Sequence, residues 1–215
     1  MGRERIVVKV GTNLVTGGDG KLNLSRMREL VDSMVVLKKK GKDVLLVSSG
    51  AIAGGIGKLG LKGWPREVAM QQACAAVGQS ALMGTYEEFF GRHGYSIAQI
   101  LLTKEDLGDK KKYLNMRNAI EELLKASIVP IVNENDVVST NELEHSRRGK
   151  VVFGDNDGLS ALMAGKIDAD TLIILTDVDG LYDSDPRRKG AKSVSYTHLR
   201  AHETSLHLVC RLLLE

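Results

Sequence analysis

Ile6-Val7-Val8-Lys9-Val10 is apolar on both faces a strand would present, apart from one lysine, and it stops at Gly11. A strand covered on one face alternates apolar with polar residues. One covered on both faces reads as a continuous run. The same pattern returns at residues 44–47, 97–102, 128–132 and 172–175. Between these runs lie segments with helical spacing. Asn23-Leu24-Ser25 opens one, with Leu24, Met27, Leu30, Val31, Met34 and Leu37 on a single face. Lys38, Lys39 and Lys40 fill its last turn, where the helix dipole favours cations, and Gly41 ends it. Further helices are expected after Ser48-Ser49-Gly50-Ala51, over residues 67–90, 114–125 and 158–167. Buried strands alternating with helices of this length predict a mostly parallel sheet with helices on both faces, a three-layer α/β/α sandwich.

Composition narrows the class. The 215 residues carry 30 Lys+Arg and 27 Asp+Glu, with only 4% aromatics. That balance offers no basic stripe interleaved with aromatics, so no nucleic-acid partner is expected for this stretch. Two cysteines, Cys74 and Cys210, cannot build a disulfide framework, which predicts a reducing compartment, the cytoplasm. The uncharged stretch 68–86 is Ala-rich and carries Gln71, Gln72, Gln79 and Ser80. It reads as a closely packed helix and not a membrane span. The first apolar run is too short for a secretory signal.

The last residues differ from the rest. His198, His202, His207 and Cys210 all fall within residues 194–215, and the whole string resembles the conceptual translation of a sequencing adapter. Residues 1–193 are therefore expected to form the folded domain and 194–215 a non-native tail, left out of the fold reading.

In an open α/β sheet, ligands collect at the carboxyl ends of the strands. Five such ends carry small, amide, carboxylate or lysine residues: 9–12, 48–51, 133–136, 154–157 and 176–179. None offers a Ser–His pair or a cysteine nucleophile, so the inventory suits charged ligands and Mg²⁺ more than covalent catalysis. Any one of these loops alone could be a turn or a helix cap, as Asp155 could be for the helix after it. Their convergence is what points to a site. Lys9 is costly in an apolar strand unless its ammonium finds a partner, and beside the turn at Gly11 it predicts a phosphate contact. A lysine on an edge strand facing water is the competing reading. Gly55-Ile56-Gly57-Lys58-Leu59-Gly60 matches GxGxxG in letters only. It begins several residues past its strand, and no acidic residue ends a second strand at the required distance. A GxxxxGK[ST] loop is absent from the sequence as well.

Val8-Lys9-Val10-Gly11-Thr12, Ser48-Ser49-Gly50-Ala51-Ile52, Ala75-Ala76-Val77-Gly78-Gln79, Val132-Asn133-Glu134-Asn135-Asp136, Gly154-Asp155-Asn156-Asp157 and Thr176-Asp177-Val178-Asp179-Gly180-Leu181-Tyr182 resemble, in order, the motifs of the amino acid kinase family, and within it those of its glutamate 5-kinases. The resemblance runs from about Ile6 to Arg187. It implies ATP-dependent phosphorylation of the L-glutamate γ-carboxylate, the first step toward proline, with Mg²⁺ accompanying ATP. Carried over, Lys9 contacts the ATP phosphates and, with Asp157, is catalytic, Asp157 organising the lysines around the phosphoryl group. Ser49, Asp136 and Asn156 hold glutamate, and Thr176 and Asp177 lie at the nucleotide. No residue is assigned as a metal ligand. The family further implies a homo-oligomer, proline as feedback inhibitor and coupling to glutamyl phosphate reductase. Family members continue past Asp185-Pro186-Arg187 into a Gly-rich nucleotide loop and a second lysine, which this sequence does not show. The nucleotide end of the fold is thus expected to be incomplete and the chain by itself inactive. Two other readings stay open: a family member acting on acetylglutamate or a nucleoside monophosphate, and a non-catalytic protein that binds glutamate or proline.

Overall fold

The computed structural model describes residues 2–17, 21–139, 155–175 and 207–210. Its strands are β1 (Arg5–Val10), β2 (Asp43–Val47), β3 (Ile97–Leu102), β4 (Val129–Glu134), β5 (Thr171–Leu175) and β6 (His207–Cys210). They form one sheet in the order β3-β4-β2-β1-β5-β6, with every neighbouring pair parallel. The helices are α1 (Thr12–Val15), α2 (Leu24–Lys39), α3 (Ala51–Leu59), α4 (Val68–Gly91), α5 (Lys104–Gly108), α6 (Lys110–Lys125) and α7 (Asp155–Lys166).

Because successive strand residues point to opposite faces, β1 splits its side chains between two cores. Ile6, Val8 and Val10 pack with Met27, Val31 and Met34 of α2 and with Leu82, Tyr86 and Phe90 of α4. Val7 packs on the other face with Ile120 and Leu124 of α6, with Leu159 and Met163 of α7 and with Ile167 just after it. The layers are those of a three-layer α/β/α sandwich. Leu24, placed on the apolar face of α2 by its spacing, is exposed, because it sits in the first turn beyond the sheet.

Three boundaries differ from the sequence expectation by more than one residue. Helix α7 begins at Asp155 and not near Gly158, so Asn156 and Asp157 lie in its first turn, where the dipole favours acids. Strand β4 runs on to Glu134, which makes Asn133 a strand residue. Helix α6 starts at Lys110, capped by the Asp109 side chain, which accepts from the Lys112 N–H at 2.8 Å. The four residues of β6 belong to the segment set aside by composition. Their backbone pairs with the outer edge of β5, from Thr171 opposite His207 to Ile174 opposite Cys210. An open strand edge presents unpaired N–H and C=O groups to any extended segment, whatever its origin.

Candidate active site

The site lies where β1, β2, β4 and β5 end. The register sets Lys9 beside Val47 and Ile174, and Val47 beside Val132. Ser48 and Asn133 therefore emerge one step beyond Lys9. Lys9 shares its face of β1 with Val7, so it points toward α7. Strand β1 is flanked on both sides and Lys9 is 6% exposed, which excludes a lysine facing water from a sheet edge. The cost of burying its ammonium is met by Asp157 in the first turn of α7, Nζ to Oδ1 at 2.5 Å. The ammonium also lies over Gly11, where a Cβ would come 3.6 Å from Nζ.

Asn156, beside it, crosses to the ends of the other strands. Its Nδ2 donates to the Ser48 carbonyl at 2.8 Å, to Ser49 Oγ at 2.8 Å and to Asn133 Oδ1 at 3.1 Å. Its Oδ1 is buried without a hydrogen-bond partner among the described residues. Asn133 in turn donates to Gln79 Oε1 at 2.9 Å, and Gln79 Nε2 donates to Gln99 Oε1 at 3.3 Å. Asn133 Oδ1 also accepts from the Glu134 backbone N–H at 2.9 Å. These amides form one polarised row, with every side-chain donor facing away from Asn156. The Ser48–Ser49 turn is fixed from behind by Tyr86, whose fully buried hydroxyl lies 3.0 Å from Ser48 Oγ. Burial pushes the Tyr86 phenol well above its usual range, so it remains protonated.

One glycine makes this turn possible, and two more let the helix after it approach α4. Gly50 has φ +92°, and a Cβ there would lie 2.6 Å from Val15 Cγ2, so a side chain is excluded both by conformation and by space. Helix α3 then runs against α4 almost backbone to backbone. A Cβ on Gly78 would fall 1.8 Å from the Ala51 carbonyl oxygen, and one on Gly55 1.9 Å from that of Cys74. Cys74 is buried there as a free thiol, held above its ordinary pKa by desolvation.

Together these elements enclose a cavity of about 130 Å³ lined by Lys9, Ser49, Trp64, Asn133, Asp136 and Asn156, with Gly11, Thr12 and residues 50–53 completing the wall. Of the residues singled out from sequence, Lys9, Ser49, Asp136 and Asn156 line it, and Asp157 reaches it through Lys9. Thr176 and Asp177 lie outside the described residues. Asn133 enters the sequence reading only as part of the strand end 133–136, and Gln79 and Trp64 have no role in it. Asn133 and Gln79 stood inside quoted motifs, and Trp64 was signalled only as the one tryptophan, in a Gly-rich loop. The cavity offers one cation, the Asp136 carboxylate, two amides and the hydroxyls of Thr12 and Ser49, a set suited to a small molecule with both carboxylate and ammonium groups. Among the described residues, no group of three His, Cys, Asp or Glu could hold a metal ion, and no helix is long and apolar enough to cross a membrane.

Known proteins resemble this chain in sequence and in fold. A glutamate 5-kinase of Thermoanaerobacter sp. (strain X514) is 50% identical over 183 residues, 85% of this chain and 47% of that protein. One from Myxococcus xanthus (strain DK1622) is 48% identical over 184 residues, 86% of this chain and 46% of that protein. The chain thus spans about half the length of the curated relatives it matches. Among solved structures, a UMP kinase from Ureaplasma parvum superposes with a TM-score of 0.53 at 19% identity, covering 89% of this chain and 75% of that one, a likeness of fold alone. The amino acid kinase family pattern matches residues 4–206, and the chain belongs to that family.

Proposed function

We propose that this chain carries the acceptor site and the phosphate-binding lysine of a glutamate 5-kinase, which transfers the γ-phosphoryl group of ATP to the γ-carboxylate of L-glutamate. The observation that carries the reading is the cavity itself, where the Lys9–Asp157 ion pair adjoins Ser49, Asn156 and Asp136. The half-identity to curated glutamate 5-kinases supports the choice of substrate.

A carboxylate is already a nucleophile at neutral pH, so the reaction needs no general base. One γ-carboxylate oxygen bonds to the γ-phosphorus as the bond from that phosphorus to the β-bridging oxygen breaks, giving γ-glutamyl phosphate and ADP. What the protein supplies is alignment and positive charge. Lys9 would place its ammonium on the transferring phosphoryl oxygens, and Asp157 would hold that ammonium in position. Asp136 would pair with the α-ammonium of glutamate. The Asn156 and Ser49 side chains would hold its polar groups, the serine hydroxyl donating while its oxygen accepts from Asn156. Mg²⁺ enters as part of the MgATP co-substrate. Thr176 and Asp177 would lie at the nucleotide. In this reading the protein is a cytoplasmic, homo-oligomeric enzyme of proline biosynthesis, inhibited by proline and coupled to glutamyl phosphate reductase. This chain binds glutamate but turns over little by itself.

The test is acyl phosphate formation, trapped as the hydroxamate, with ATP, Mg²⁺ and a panel of L-glutamate, N-acetyl-L-glutamate and UMP. The 215-residue chain would be compared with one extended to the length of its relatives. L-Glutamate-dependent hydroxamate from the longer chain is the expected result. Preference for either other acceptor would overturn the substrate assignment, and equal activity from both lengths would overturn the claim about the shorter one.

A further inference from the structure

Trp64 is the only tryptophan in the chain and stands in the loop joining α3 to α4. Its side chain is 56% exposed, yet it lines the same cavity as Lys9, Ser49, Asp136 and Asn156. A large apolar ring left half in water loses much of the gain its burial would bring. It is held there by anchors on both sides of the loop. Gly60 closes α3 with φ +67°, and the Leu61 N–H returns to the Ile56 carbonyl at 3.1 Å. On the far side the buried Gln71 donates from Nε2 to the Pro65 carbonyl, one residue past the indole, at 2.6 Å. The loop therefore presents the ring at the cavity instead of letting it fold onto α4.

The electrostatics select which end of a ligand such a wall favours. An indole face is electron-rich and attracts ammonium groups while disfavouring carboxylates. Asp136 lines the same cavity and supplies an anion to the same kind of group. We propose that Trp64 is a specificity-determining residue whose ring closes over the α-ammonium of the bound amino acid, selecting free amino acids over their N-acylated counterparts. This inference rests on the amino acid acceptor site proposed above and adds to it the group that is recognised.

A single tryptophan makes the test direct. The 215-residue chain is titrated with L-glutamate and with N-acetyl-L-glutamate, followed by calorimetry for the parent chain, Trp64→Leu and Trp64→Phe, and by tryptophan emission for the parent chain, where Trp64 is the sole source. Far-UV circular dichroism checks that each variant is folded. The expected result is a saturable emission change in the parent chain with the calorimetric Kd. Trp64→Leu should weaken L-glutamate about threefold to thirtyfold, the range set by cation–π contacts from surface to desolvated sites. Trp64→Phe should recover most of that loss, and N-acetyl-L-glutamate should respond little to either change. Calorimetric binding of L-glutamate with unchanged emission in the parent chain and unchanged affinity in Trp64→Leu would overturn this inference and leave the kinase reading standing. Equal weakening of both acids would overturn the recognition of the ammonium. No heat with L-glutamate at all would overturn the acceptor reading, and this inference with it.

Discussion

Exchanging the Asn156 amide for a carboxylate, Asn156→Asp, changes one atom's chemistry at nearly constant volume and tests whether the site depends on the direction of its amides. The Nδ2 group offers two hydrogens to three acceptors, at 2.8, 2.8 and 3.1 Å. An oxygen in its place faces the Ser48 carbonyl and Asn133 Oδ1 with no proton to share. The Ser49 hydroxyl can rotate to donate, but the other two acceptors cannot. Asn133 could flip its own amide toward the new oxygen. It would then present a donor to the Glu134 N–H, and an acceptor to Gln79 Oε1, both now repulsive. A flip of Gln79 would move the conflict on to Gln99. The Ser48 carbonyl loses its Asn156 donor, and Asn133 Oδ1, though it keeps the Glu134 N–H, faces a second acceptor; at about 1–3 kcal/mol each these predict a loss of about 2–6 kcal/mol. The loss should shrink on acidification. The new carboxyl, buried among acceptors, has its folded pKa raised, so its protonated form can donate and stability returns as pH falls below that value. Urea unfolding of Asn156→Asp and Asn156→Ala from pH 4.5 to 8 is the assay. An aspartate variant more stable than the alanine variant at pH 7.5, or one with no pH dependence, would refute the polarity of the row.

Four further outcomes follow from the same geometry. Lys9→Ala, in the chain of full relative length, should lower turnover about a hundredfold, roughly 3 kcal/mol of transition-state stabilisation, while changing the glutamate KM far less. Asp136→Asn in that chain should raise the glutamate KM strongly and leave the ATP KM nearly unchanged, both read from initial rates. Gly78→Ala places a Cβ 1.8 Å from the Ala51 oxygen, so α3 and α4 must separate. About 1–3 kcal/mol of overpacking, or more, should outweigh the helix-propensity gain of roughly 1 kcal/mol and lower Tm. The Asp106 carboxyl is held below its ordinary pKa by its bond to Lys112 and then by the Thr103 N–H. Its stabilisation is therefore present above the unfolded value of 3.8 and lost as pH falls through the lower folded one, and Asp106→Asn should flatten that acid limb.

Much of this site was legible in the sequence because it is built from strand ends. A buried strand announces itself as an unbroken apolar run, and the residues after it fall at the sheet's carboxyl edge whatever the topology. Lys9, Ser49 and Asp136 could be found that way, and the interior position of Lys9 followed from the run around it. The partners could not. Gln79 reads locally as a polar residue that keeps an Ala-rich helix in water, yet it is buried and bonded to Asn133, 54 positions away. Such a pairing leaves no trace in any local period. The start of α7 was missed for a related reason. Asn and Asp serve equally as loop, cap and first-turn residues, and Gly158 argues against a helix that tertiary packing nonetheless begins at Asp155. Thr176 and Asp177, found by motif alone, lie outside the described residues.

The period of two along a strand also explains why the site sits where it does. Lys9 belongs to the face covered by α6 and α7, whereas Asn133 points to the face covered by α4, as its bond to Gln79 shows. Within the sheet, two such groups are separated by a layer of backbone. They share a cavity only because β2 stops at Val47 and the Ser48–Gly50 turn opens a passage through the layer. Asn156 reaches through that passage from α7 to the Ser48 carbonyl and to Asn133. The lysine that would meet phosphate and the Asn133–Gln79 amide pair are thus anchored to opposite helical layers, with Asn156 bridging them. Gly50, in a conformation that no residue with a side chain adopts without strain, holds the opening between them.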